Sequence, residues 1–122
     1  MPEAQKLVYI LTAAGDRAED AVTGFTLATV GLTMGHQVTI ILLGYATLLA
    51  KKGYAETVYA PERQPCKRLL TDFIESDGKL MCCVPCIKGR QMNPDDLVAG
   101  VVPATAVSVS EEIAAADKVI SF

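Results

Sequence analysis

Four runs of β-branched and aliphatic residues, separated by stretches of helical period, limit this chain to one class of architecture. Leu7-Val8-Tyr9-Ile10-Leu11, Gln37-Val38-Thr39-Ile40-Ile41-Leu42-Leu43, Lys79-Leu80-Met81-Cys82-Cys83-Val84 and Lys118-Val119-Ile120-Ser121-Phe122 read as strands. The first three are nearly continuous in apolar residues, as strands covered on both faces are. From Arg17 to Met34, Ala18, Ala21, Val22, Phe25, Ala28 and Leu32 recur at helical spacing, and Leu27, Val30 and Met34 form a second stripe. A helix apolar around most of its circumference is covered on two sides. Asp16 is placed to cap it. Tyr45 to Lys52 suits a short helix. Thr57-Val58-Tyr59 suits a short strand, and a helix begins near Pro65 with Leu69, Leu70, Phe73 and Ile74 inward. Asn93-Pro94-Asp95-Asp96 opens another short helix, Thr105-Ala106-Val107 a brief strand, and Ser110 to Ala116 a final helix. Strands alternating with helices in this way predict an α/β fold, a three-layer αβα sandwich around a mostly parallel five-stranded sheet.

At 122 residues the chain is read as a single domain spanning 1–122. Eleven basic against fourteen acidic side chains give a net charge of -3, which argues against nucleic acid as a direct partner. Half the residues are hydrophobic (51%) and only 20% are charged. So small a domain cannot bury all that apolar surface by itself, which points to a homo-oligomer. The amino-terminal residues carry no signal-peptide pattern, and the apolar window Val38 to Ala50 is interrupted and shorter than a membrane helix. The expectation is a soluble cytoplasmic protein with no membrane partner.

In that compartment the four cysteines, at 66, 82, 83 and 86, point to reactivity or metal binding rather than to disulfides. Strand alternation sends Cys82 and Cys83 to opposite faces. Cys83 and Cys86 are separated by Val84-Pro85, so beyond the strand end the second can fold back over the first. Lys88 and Arg90 follow, and positive charge favours thiolate, the nucleophilic form. This marks Cys83 as the candidate reactive thiol and Cys86 as its helper, with Lys88 and Arg90 stabilising the anion. Cys82 and Cys66 are read mainly as small buried hydrophobes. A zinc site needs four ligands, and one C-x-x-C with a distant His36 falls short. His36 itself suits a helix end. Thr12-Ala13-Ala14-Gly15-Asp16 carries neither glycine-rich phosphate signature. No metal or organic cofactor is expected.

The order and spacing of several short stretches resemble the DsrE/DsrF-like family, in particular its small TusD-related subunits. These are the first strand with its loop to Gly15, Met34-Gly35-His36-Gln37-Val38, Gly44, Lys52-Gly53 and Leu69-Leu70 with Phe73-Ile74. Further along come Asp77-Gly78, Cys83-Val84-Pro85-Cys86-Ile87-Lys88, Asp96-Leu97 before Gly100, and the closing Asp117 to Phe122. The resemblance implies a flavodoxin-like arrangement of strands and helices, assembly as a homotrimer or hexamer, and a cytoplasmic role in sulfur trafficking. It further implies that a cysteine after the strand from Lys79 accepts sulfane sulfur as a persulfide and passes it to a partner, the work of a sulfurtransferase. Cys83 matches that position, or Cys82 if the alignment slides by one. Donors and acceptors would be TusA-like or rhodanese-like proteins. Two alternatives stay open: a thiol redox or peroxidase-like protein using Cys83 and Cys86, and a non-catalytic oligomeric binding subunit.

Overall fold

The computed structural model describes residues 3–122. Five strands, β1 (Lys6–Leu11), β2 (Gln37–Leu42), β3 (Lys79–Cys83), β4 (Val101–Ala104) and β5 (Lys118–Ser121), form one sheet in the order β4-β3-β2-β1-β5. Every neighbouring pair is parallel. The three-layer α/β expectation is met, and the strand order 4-3-2-1-5 differs from the 2-1-3-4-5 of flavodoxin itself.

Helices α1 (Ala18–Thr33) and α2 (Cys66–Glu75) cover one face of the sheet. Leu7, Tyr9, Leu11, Val38, Ile40, Leu42, Leu80 and Cys82 point into that layer and meet Val22, Phe25, Leu70 and Phe73. Phe25 and Phe73 join the two helices edge to face, centroids 6.2 Å apart. Alternation sends Val8, Ile41 and Met81 to the other face, where the layer is thinner: Ala104, Ile10, Leu43, Val109 and Ala116 complete it under α4 (Ala106–Ala115). The expected inward stripe of α1 is inward, and Leu27, Val30 and Met34 are exposed. Gly24 and Gly31 let α1 lie close on the sheet, because a Cβ at either position would press on Leu11 or on Val38 and Leu7.

Five local expectations are corrected. Asp16 does not cap α1; its Oδ1 accepts from the Ala14 N–H at 2.8 Å and shapes a one-turn 3-10 segment, Gly15–Arg17, ahead of the helix. Thr57-Val58-Tyr59 is not a strand: Ala55–Thr57 is another 3-10 turn, and the Val58 carbonyl accepts from the Cys66 N–H where α2 begins. The strand expected at Thr105 lies one step earlier, as β4, with Pro103 tolerated because this is the sheet edge. Thr105 instead caps α4: its Oγ1 accepts from Ser108 N at 3.2 Å while Ser108 Oγ accepts from Thr105 N at 2.9 Å. The helix therefore starts at Ala106, ahead of the expected Ser110. Finally, Val84 is not in the strand but opens α3 (Val84–Gly89), a helix the sequence reading did not contain.

Candidate functional site

β3 ends at Cys83 because Pro85 cannot extend a ladder, and the same proline suits the first turn of a helix, where its missing N–H is not needed. The chain therefore passes from strand to α3 with Cys83 as the N-cap residue. One turn brings residue 86 back above residue 83, and the Cys86 N–H donates to Cys83 Sγ at 3.3 Å. The two Sγ atoms lie 2.7 Å apart and share a hydrogen bond. Both cysteines are free and partly exposed.

The neighbouring strand supplies the rest. Leu42 of β2 is in register with Cys82 of β3, so the residues after Leu42 run alongside the thiol pair. Gly44 there has φ +56°, a left-handed conformation natural to glycine, and its N–H donates to Cys86 Sγ at 3.4 Å. Thr47, in the 3-10 segment Gly44–Ala50 that follows, is fully buried.

The environment separates the two thiols. Burial raises the Cys83 pKa, the hydrogen bond and charge of Cys86 raise it further, and the Cys86 N–H and the Arg90 guanidinium only partly offset this. For Cys86, burial works against ionisation but is outweighed by hydrogen bonds with Cys83 and the Gly44 N–H, by the nearby Thr47 hydroxyl and by the charge of Arg90, so its pKa is lowered. Of the two thiols Cys86 is therefore the one more readily ionised, whereas the sequence reading took Cys83 as the reactive thiol. Arg90 lies over the end of α3, its Nη1 donating to the Cys86 carbonyl at 3.3 Å, and lowers all three neighbouring thiols. Lys88 is exposed on the last turn and has no comparable effect on them.

Cys82 is fully buried, its pKa pushed up to about 11, chiefly by burial. Cys66, buried at the start of α2, is pushed up to about 12 for the same reason. Thiols in that range are inert at neutral pH. His36 lies apart in the turn after α1, its Nδ1 accepting from the Gln5 N–H at 3.0 Å. Among the described residues no three His, Cys, Asp or Glu side chains cluster to hold a metal, and no helix is long and apolar enough to cross a membrane. Sequence reading noted Gly44 without giving it a role at the site, and it missed Thr47. A glycine ending an apolar strand was a usable signal for the first, but nothing in Tyr45-Ala46-Thr47-Leu48 marks the second.

Residues 5–122 match the model of the DsrE/DsrF-like family. The protein named Uncharacterized protein MK0008 of Methanopyrus kandleri is 29% identical over 117 residues, covering 95% of this chain and 93% of that one. Uncharacterized protein MJ0989 of Methanocaldococcus jannaschii is 29% identical over 122 residues, covering 96% and 99%. The crystal structure of the ychN protein from E. coli superposes with a TM-score of 0.83 at 22% identity, over 97% of this chain and 99% of that one. At that identity the likeness concerns the fold.

Proposed function

The chain belongs to the DsrE/DsrF-like family, and from that premise we propose that it is a cytoplasmic sulfur-relay protein whose Cys83–Cys86 pair accepts sulfane sulfur and passes it on. The observation that carries this reading is the thiol pair itself: two free, partly exposed cysteines 2.7 Å apart at the carboxyl end of a parallel strand. Ligands and reactive groups of such sheets gather at that edge.

Cys83 is the proposed carrier. Its proton passes to the Cys86 thiolate as its sulfur attacks the outer sulfur of a donor persulfide. The bond to the outer sulfur moves to Cys83, giving Cys83-S-SH, and the donor leaves as a thiolate. An acceptor thiolate then attacks the outer sulfur and Cys83 leaves as thiolate. No metal or organic cofactor takes part in such exchange. Lys88 and Arg90, beside the pair, give this edge positive charge suited to an acidic surface on a donor or acceptor of TusA-like or rhodanese-like type. The exposed stripe Leu27, Val30 and Met34 and the exposed Val102, Val107, Ile113 and Val119 are the apolar surface for assembly as a homotrimer or hexamer. A native mass of one chain at micromolar concentration would remove that assignment.

Incubation of the reduced protein with polysulfide, followed by site-resolved mass spectrometry, tests the carrier. The expected product carries increments of about 32 Da, one sulfur, on Cys83. Equal uptake by Cys83→Ser on another cysteine would displace the assignment. The close sulfur pair also favours a second reading, dithiol redox chemistry, whose sign would be peroxide consumption with formation of a Cys83–Cys86 disulfide.

A further inference from the structure

The Thr47 hydroxyl is the one buried side-chain oxygen or nitrogen, among the described residues, that has no hydrogen-bond partner. A buried hydroxyl left unpaired is costly, and native proteins rarely tolerate one without a use for it. This one faces two thiols, Cys82 and Cys86, and pulls the pKa of each downward, yet completes a hydrogen bond with neither. Cys82 is sealed in the core and has no route to ionisation. Cys86 is partly exposed, already receives the Gly44 N–H from the same 3-10 segment, and stands against Cys83 and under Arg90. A hydroxyl rotor satisfies whichever neighbour offers an acceptor, and a thiolate is a far better acceptor than a thiol.

We propose that Thr47 is a positioning residue for the thiol pair: its hydroxyl donates to the Cys86 sulfur once that sulfur is negatively charged, and with the Gly44 N–H it forms a two-donor cradle that fixes the anion on Cys86 rather than Cys83. The hydrogen bond missing in the resting structure is made on ionisation, so the stabilisation falls on the charged state alone. This deepens the reading of the pair as a sulfur-accepting site by naming the thiolate that takes the Cys83 proton. Its test involves no sulfur transfer, so the two fail separately.

The groups that set the charge on Cys86 are Cys83 at the end of β3, Arg90 beyond α3, and Gly44 and Thr47 after β2. The experiment is the pH dependence of iodoacetamide alkylation, resolved cysteine by cysteine, for wild type, Thr47→Val, Thr47→Ala and Thr47→Ser. Removing the hydroxyl is expected to move the Cys86 profile to higher pH and to slow its alkylation at neutral pH by roughly tenfold, the size of one hydrogen bond to a charged atom. Thr47→Ser should restore it to within about twofold. Because the lost hydroxyl is unpaired in the resting protein, Thr47→Val should unfold at the same denaturant concentration as wild type or a higher one. A Cys86 profile unmoved in Thr47→Val overturns the proposal. So does a shift seen only in Thr47→Ala, which would be a packing effect, or a Thr47→Val protein markedly less stable than wild type.

Discussion

The two ends of the sheet hold the polar groups that this apolar chain buries, and they are built on opposite principles. At the amino-terminal end, beside an open cleft of about 520 Å³, Glu112 of α4 is buried. Its carboxylate accepts from the Thr39 hydroxyl at 2.7 Å and from Lys79 Nζ at 3.2 Å, with Lys6 Nζ at 3.5 Å. Burial opposes its ionisation, but the Thr39 bond and the two lysines prevail and its pKa is lowered. Both carboxylate oxygens have partners, and the network ties α4 to β1, β2 and β3. At the carboxyl-terminal end two of these strands, β2 and β3, deliver a thiol pair, a single backbone donor to each sulfur and an unpaired hydroxyl. A saturated network fixes one state of the molecule. An unsaturated one leaves a hydrogen bond to be made when a charge develops, which is what chemistry at a thiol requires.

That contrast can be broken by exchanging what each end loses. Glu112→Gln should give the largest stability change, about 1–3 kcal/mol in a denaturant titration, because two lysines and a buried carboxylate lose each other. It should leave the alkylation rates of Cys83 and Cys86 where they were. A change in thiol reactivity would show that the ends are coupled. The pH dependence sharpens the same point. A carboxylate held below its unfolded pKa of about 4.3 contributes stability at neutral pH. That contribution is lost as pH falls through the lower, folded value, where the unfolded chain binds the extra proton first. Wild type should therefore lose stability below about pH 4 more steeply than Glu112→Gln. Parallel acid limbs would contradict the assignment.

Smaller effects belong to the carboxyl end. Arg90→Ala should raise the pH at which Cys86 alkylates and slow it at neutral pH by roughly fivefold or less, the scale of an exposed charge acting through water. Moderate salt should narrow the gap between the two proteins. Lys88→Ala should leave the profile unmoved, and an equal effect of the two would mean that net charge rather than geometry sets the thiol. Smallest of all as a perturbation, simple counting of native thiols by alkylation should find two accessible cysteines, Cys86 faster than Cys83, and two protected ones, Cys66 and Cys82.

What was legible in the sequence follows from the range of the forces involved. β1, β2, β3 and β5 announce themselves through short apolar runs, since parallel strands in a sheet need apolar residues in sequence. β4 hides because an edge strand accepts Pro103 and little burial. Val58 reads as strand because three residues cannot distinguish a ladder from a buried turn. Pro85 was legible as the end of β3 but not as the start of α3, although one property of proline causes both. The pairing of Cys83 with Cys86 was open to spacing arguments because it is local. The placement of the charge on Cys86 was not, because it depends on Gly44 and Thr47, brought there by the β2–β3 register some forty residues away in the chain.

The most direct measurement follows sulfur out of the protein. After loading with polysulfide and removal of excess donor, the protein is mixed with an acceptor carrying a free thiol, and both masses are followed with time. The account predicts that this chain loses about 32 Da from Cys83 as the acceptor gains the same mass. Sulfur that stays on the loaded protein, or leaves only as sulfide with a Cys83–Cys86 disulfide behind it, would contradict it.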